Sequence, residues 1–191
     1  MVGNLSNFTK VDILRCLLKI DKPLSRSQLS NLLNLGEGTI RSILNILQKK
    51  GFLASNNQGH YLSSKGENIV KKIKGSISMK EIALNSLFPD KKKIALHIKN
   101  PKKIEKSYVL RDEALKNGAD GALILRFDKK LMLYDSDYKE NLDEVENKFD
   151  LSKNDLVIVA YADSYKLAEH GALAAAANLN TDLKNIMQEF K

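Results

Sequence analysis

A chain of 191 residues, 43% hydrophobic and 28% charged, is long enough for two compact units that each bury a core. No apolar run approaches the roughly 20 residues of a membrane helix. The opening MVGNLSNFTKVDILRC shows neither a basic leader nor a small-residue cleavage site, so the expectation is a soluble, cytoplasmic protein with no membrane partner. Cys16, the single cysteine, sits between Arg15 and Leu17 on an apolar helix and reads as a buried structural thiol. The net charge is unevenly spread: residues 1–75 hold 12 Lys/Arg against 4 Asp/Glu, a balance of +8, while residues 76–191 hold 19 of each sign. An excess confined to one segment is the footprint of a domain that meets an anionic partner, nucleic acid above all.

The first helix starts at Thr9, where Thr9 and Asp12 have capping-box spacing, and carries Val11, Leu14, Leu17 and Leu18 at helical intervals up to about Asp21. Ser25 and Gln28 form a second S-x-x-Q box, with Leu24 and Leu29 at hydrophobic-staple positions, and a short helix buries Leu29, Leu32 and Leu33. Asn34, Gly36 and Gly38 supply turn chemistry, after which Ile40, Ile43, Leu44 and Leu47 make an i, i+3, i+4, i+7 stripe ending at Gly51. FLAS (52–55), a polar turn Asn56-Asn57-Gln58-Gly59 and HYLS (60–63) read as a β pair. Ser64 and Glu67 have the spacing of a further capping box, opening a helix with Ile69, Val70 and Ile73 and a flank of Lys71, Lys72 and Lys74. The order is α-α-α-β-β-α.

With these elements in place, LSRSQLSNLLNLGEGTIRSILNILQKKGFL…GHYLSSKG resembles the winged helix-turn-helix of prokaryotic transcription regulators over about the first 75 residues. The resemblance implies that the Gly-Thr-Ile-Arg start (38–41) marks a recognition helix, that KKGFL leads into a wing, and that double-stranded DNA is the partner. Burying the stripe of residues 37–50 leaves Thr39, Arg41, Ser42, Asn45, Gln48 and Lys49 outside. Arg pairs bidentately with guanine, Asn and Gln with adenine, and Ser or Thr with either base edges or phosphate. Thr39, Arg41, Ser42 and Asn45, nearest the helix start, are the expected base-side residues, and Gln48, Lys49 and Lys50 are expected on the phosphate side. Ser25, Ser27 and Gln28 stand at a helix N-terminus able to hold a phosphate, a role that competes with plain capping. Asn56, Asn57, Gln58 and His60 form the expected wing, for which a simple polar turn is the competing reading.

Residues 76–90, from a Gly75-Ser76 start to the break at Pro89, read as a linker or connecting helix before a domain over 91–191. The Lys91-Lys92-Lys93 run reads as a solvated strand entrance. Ile94–Ile98 is a strand, 104–117 a helix closed by Asn117-Gly118, Gly121–Phe127 and Leu131–Tyr134 a hairpin, and Asp155–Ala162 a further strand after an acidic stretch from Asp135 to Asp150. Asp163 or Ser164 caps an alanine-rich helix, whose Gly171-Ala172 and Ala174–Ala177 favour close packing on the sheet or another subunit, and a last helix begins at Thr181. The fold class is α+β: a winged helix-turn-helix followed by a mixed α+β sandwich. LRDEALKNGADGALIL and ADSYKLAEHGALAAAANL make the whole chain resemble an uncharacterised archaeal family joining a winged helix to such a domain, similar in outline to the GAD-type domain of some aspartyl-tRNA synthetases and amidotransferase subunits.

Neither a phosphate-cradling glycine loop nor a G-x-S-x-G nucleophile occurs, so no catalytic residue and no cofactor is expected. His60, His97 and His170 lack paired ligand spacing, so no metal is expected. Arg111 and Arg126 are the only arginines beside 17 lysines in residues 76–191, and their guanidinium forks make them the first candidates for an acidic ligand, against the plainer reading of structural ion pairs. The leading expectation is a transcription regulator acting as a homodimer, with a C-terminal domain that dimerises or senses a small-molecule effector. The alternatives are a winged-helix adaptor that binds protein, and an enzyme or RNA-processing factor whose activity lies in the C-terminal domain.

Overall fold

A computed structural model describes residues 8–136 and 140–190. They form two compact units, one reaching to Ile73 and including the chain from Asn185, the other running from Lys74 to Lys184.

In the N-terminal unit, α1 (Lys10–Lys19), α2 (Arg26–Leu33) and α3 (Glu37–Lys49) precede a hairpin of β1 (Leu53–Asn56) and β2 (Gly59–Leu62), and α4 (Ser64–Ser76) follows. Two of the three expected capping boxes close: Thr9 and Asp12 start α1, and Ser25 and Gln28 start α2. Asn34 takes the left-handed conformation, φ 53°, that ends α2. The α4 start departs from expectation, because Ser63 rather than Ser64 performs the capping. Its Oγ accepts from the Gly66 amide at 3.1 Å and donates to the Gly51 carbonyl at 2.6 Å, so one hydroxyl joins the end of α3 to the start of α4. The core joins Val11, Leu14 and Leu17 of α1, Leu29 and Leu33 of α2, the α3 stripe, Phe52, Val70, Ile73 and Phe190. Arg15 is buried with them, 3.5 Å from Asp12 and donating to the Leu33 carbonyl at 3.3 Å, which keeps its charge paired.

The C-terminal unit is built on one sheet of β3 (Ile77–Ile82), β4 (Lys92–Ile98), β5 (Gly121–Phe127), β6 (Leu131–Leu133) and β7 (Leu156–Ala162), in the order β3-β4-β7-β5-β6 with every neighbouring pair antiparallel. Because β4 and β5 both run opposite to β7, they point the same way with β7 between them, a split β-α-β closed by α5 (Ser107–Lys116). Burial along nearly all of β4 and β7 shows both faces covered. One face meets α5 and α7 (Tyr165–Ala177). A Cβ on Gly171 would lie 2.5 Å from the Ala119 methyl and 3.1 Å from the Ala114 carbonyl, so the small residues of α7 serve packing within the unit. The other face buries Leu125, Val157 and Val159 against Leu142 and Val145, which lie on or beside the short α6 (Asp143–Glu146). Residues 142–146 of the acidic stretch therefore have a packing role, while 137–139 lie outside the described residues: Glu144 accepts from the Ala83 and Leu84 amides at 2.7 and 2.8 Å, and Glu146 from the Leu131 amide at 2.8 Å.

The sequence boundaries need three corrections. Residues 76–90 are no mere linker or connecting helix, since Ile77–Ile82 is an edge strand paired with β4 from Ile77↔Ile98 to Ile82↔Lys93. Its apolar signal is short and interrupted by Lys80-Glu81, which an edge strand tolerates and a helix pattern does not require. The domain expected at 91–191 gives up its end: α8 (Thr181–Glu189) leads to Phe190, whose ring meets Phe52 edge-on at 6.4 Å in the N-terminal unit. The lysine run at 91–93 is not uniformly solvated either. Lys91 lies 2.5 Å from Asp120 and 2.6 Å from Asp163, while Lys93 is 1% exposed and donates to the Lys91 carbonyl at 3.0 Å.

Gly66 offers a direct check on this packing, because a Cβ there would lie 2.1 Å from the Phe52 carbonyl oxygen. Gly66→Ala should destabilise the N-terminal unit by about 2 kcal/mol or more, read as a lowered denaturation midpoint.

Candidate nucleic-acid interface

Helix α3 is fixed by the stripe of apolar residues on its inner face. Ile40, Ile43 and Leu47 are fully buried and Leu44 nearly so, which sets the rotation of the helix about its axis. Arg41, Ser42, Asn45, Lys49 and Lys50 then lie exposed, with Thr39 and Gln48 half-buried at the margins of the same face. Ser42 donates back to the Gly38 carbonyl at 3.2 Å, and Gln48 Nε2 donates to Ser55 Oγ at 3.3 Å, linking α3 to β1. Gly36 and Gly38 stand at the exposed start of α3, where a Cβ added to either would meet no atom within 4 Å and neither φ is positive. Nothing among the described residues requires glycine at either place.

Ser25 and Gln28 are engaged in capping: the Ser25 amide donates to Gln28 Oε1 at 2.8 Å, and the Gln28 amide to Ser25 Oγ at 3.2 Å. Their side chains are held by the cap, and Ser27 is exposed beside them. Asn56 and Gly59 face each other across the hairpin, leaving Asn57 and Gln58 as its two-residue tip, and Asn56 Oδ1 accepts from the Gln58 amide at 2.8 Å. Two backbone hydrogen bonds, Leu24 N to His60 O at 2.9 Å and His60 N to Leu24 O at 2.8 Å, tie the hairpin to the segment before α2. Gly59 makes this possible, since with φ +133° a Cβ would stand 2.5 Å from the Leu24 carbonyl oxygen.

The bridge places His60 in the field of Arg26, a pairing that sequence reading missed because it joins positions 34 residues apart through backbone contact. Burial first, and the Arg26 charge second, hold the His60 imidazole below its ordinary pKa of 6.5, and Nδ1 is buried without a hydrogen-bond partner among the described residues. Asp12 and Arg15 cancel inside the core, so the positive excess of this unit is displayed at its surface, where Lys22, Arg26, Arg41, Lys49, Lys50 and Lys71 are all exposed. Cys16 is buried and its thiol pushed up to about 12 by desolvation, the environment of a structural thiol.

The two arginines expected to greet an acidic ligand do not meet. Arg126 lies near the end of β5, whereas the charge of Arg111 on α5 acts on Tyr161, which pairs with Gly121 at the start of that strand. Among the described residues, no cluster of three or more His, Cys, Asp or Glu side chains could hold a metal ion, and no helix is long and apolar enough to cross a membrane.

Two variants test this surface. Gly38→Ala should raise stability by about 0.5–1 kcal/mol through helix propensity alone, seen as a higher melting temperature. For His60 the folded-state pKa is the lower one, so its contribution to stability is full above about 6.5 and is lost as pH falls from there through the depressed value. Thermal melts should therefore show a smaller acid-side loss in His60→Gln than in the parent chain.

Residues 9–68 match the family described as PH0730-like, N-terminal domain, and residues 89–179 match a domain of unknown function, DUF4443. The chain is also similar to the solved structure of the hypothetical protein PH0730 from Pyrococcus horikoshii OT3, with a TM-score of 0.77 and 29% identity over 94% of this chain and 100% of that one. No curated protein matches it. The two partial matches and the whole-length likeness fit one uncharacterised, archaeal-type family of two-domain proteins.

Proposed function

We propose that the chain is a DNA-binding transcription regulator whose N-terminal unit is a winged helix-turn-helix, with α3 as the major-groove reader and the β1–β2 hairpin as the wing. The observation that carries this reading is the outer face of α3. A buried stripe fixes the helix while Arg41, Ser42 and Asn45, side chains suited to base edges, are presented together with Lys49 and Lys50. Glycines at 36 and 38 that no internal contact demands leave the helix start bare, which suits close approach by another molecule. The charge excess of residues 1–75 supplies attraction for phosphate, and Arg26 beside the hairpin adds a cation to the residues already assigned there.

In this reading the protein is a binder rather than an enzyme and acts as a homodimer. Tyr108, Val109 and Leu115 of α5 are each close to half exposed, an apolar exposure that suits association. Light scattering of the full chain should give twice the monomer mass.

Fluorescence anisotropy with duplexes selected from a randomised pool tests the DNA reading. Affinity should fall steeply with salt. Arg41→Ala should cost about 1–3 kcal/mol on the selected site and relax preference at one position, whereas Lys49→Ala should weaken all duplexes alike and reduce the salt slope by about 1. Equal effects of the two changes would contradict the assignment of base and phosphate sides.

A further inference from the structure

The C-terminal unit contains a cleft of about 660 Å³ that the DNA reading does not use. Three segments at one end of the sheet line it together with Tyr134: residues 101–104 after β4, 126–128 at the end of β5, and Lys153, Asn154 and Leu156 at the entry to β7. Its volume lies within the roughly 300–1,000 Å³ of small-molecule sites.

The charge of this cleft is one-sided. Arg126, Lys102, Lys103 and Lys153 line it against a single acid, Asp128, which lies 3.3 Å from Lys153. Arg126, Lys102 and Lys103 make no ion pair among the described residues. Residues 76–191 carry 19 charges of each sign, so this concentration is local and is not a reflection of the unit's composition. Arg126 is the register partner of Leu156 and therefore shares its face of the sheet, where buried Leu156 and Ile104 supply an apolar lining.

The loops are also held in place. Tyr134 Oη donates to the Ile104 carbonyl at 3.3 Å, the Lys102 amide to the Leu179 carbonyl at 3.1 Å, and the Asn154 amide to the Phe127 carbonyl at 2.9 Å. Cations brought together on anchored backbone recognise a ligand at less cost in ordering than cations on loose segments.

We propose that this cleft binds a small, multiply charged oxyanion attached to an apolar ring or chain, the chemistry shared by phosphate esters and polycarboxylates. The Arg126 guanidinium supplies a planar fork for bidentate contact, Lys102 and Lys103 supply point charges, and Ile104 with Leu156 receives the apolar part. The site stands apart from the DNA reading, because none of its residues belongs to the N-terminal unit.

Calorimetric titration of the full chain at low salt, with pyrophosphate, adenosine monophosphate and citrate as separate probes, tests the proposal. The expected result is saturable binding of at least one probe at a single site per chain. That binding should weaken about tenfold or more in Arg126→Gln and in the Lys102→Gln/Lys103→Gln double variant, and should be unchanged in Arg111→Gln and Lys49→Gln. Preference for the phosphate probes or for citrate identifies the source of the oxyanion. Absence of saturable binding of all three, or equal weakening by Arg111→Gln, would overturn the proposal. So would a loss of duplex affinity in Arg126→Gln as large as its loss of anion affinity, since the cleft would then be a nucleic-acid surface. No DNA is present in the titration, so its failure leaves the DNA reading untouched.

Discussion

The burial of Ile40, Ile43, Leu44 and Leu47 against α1 and α2 is the constraint on which the N-terminal unit turns. Truncating one such residue to alanine typically costs about 2–5 kcal/mol, a large part of a small unit's stability. Four at helical spacing leave α3 one rotation and one depth. The residues between them are placed as a consequence: Arg41 and Asn45 lie on the exposed face because their neighbours must be inside. Hydrophobic patterning thus decides which polar groups are offered to a partner.

The hairpin depends on a different kind of constraint. Its strands are four residues each, short for independent stability, and it is steadied by the reciprocal backbone bonds between Leu24 and His60. That bridge requires Gly59 and brings Arg26 toward the hairpin. Charge is handled with similar economy. Asp12 and Arg15 neutralise each other inside, while Lys22, Arg26, Arg41, Lys49, Lys50 and Lys71 are exposed where an anionic partner can meet them. In the C-terminal unit, by contrast, opposite charges balance, and acids such as Glu144 and Glu146 satisfy loop amides instead of repelling a ligand.

What was legible in the sequence was local. The Thr9–Asp12 and Ser25–Gln28 boxes, the turn at Asn34 and the α3 stripe each declare themselves within a few residues, and each is observed. The near-continuous apolar runs of β4, β5 and β7 were legible for the same reason. Features set by distant partners were not. β3 is a strand because β4 lies beside it, Ser63 caps α4 because Gly51 receives its hydroxyl, and Phe190 belongs with Phe52 although 138 positions separate them. The candidate interface divides in the same way: the exposed side of α3 follows from periodicity, whereas the nearness of Arg26 to His60 needs the fold. Arg126 was singled out by residue type alone, and only the loops converging around it supply its three lysine neighbours.

DNA contact through the exposed face of α3 is tested most directly by mapping that face in solution. Amide chemical shifts of the isotopically labelled full chain should be followed during titration with a random-sequence duplex at low salt. Shifts should concentrate in residues 37–50, at the start of α2 and around the hairpin tip, and fade as salt is raised. Shifts confined to the C-terminal sheet, or none at all under those conditions, would contradict DNA contact through α3.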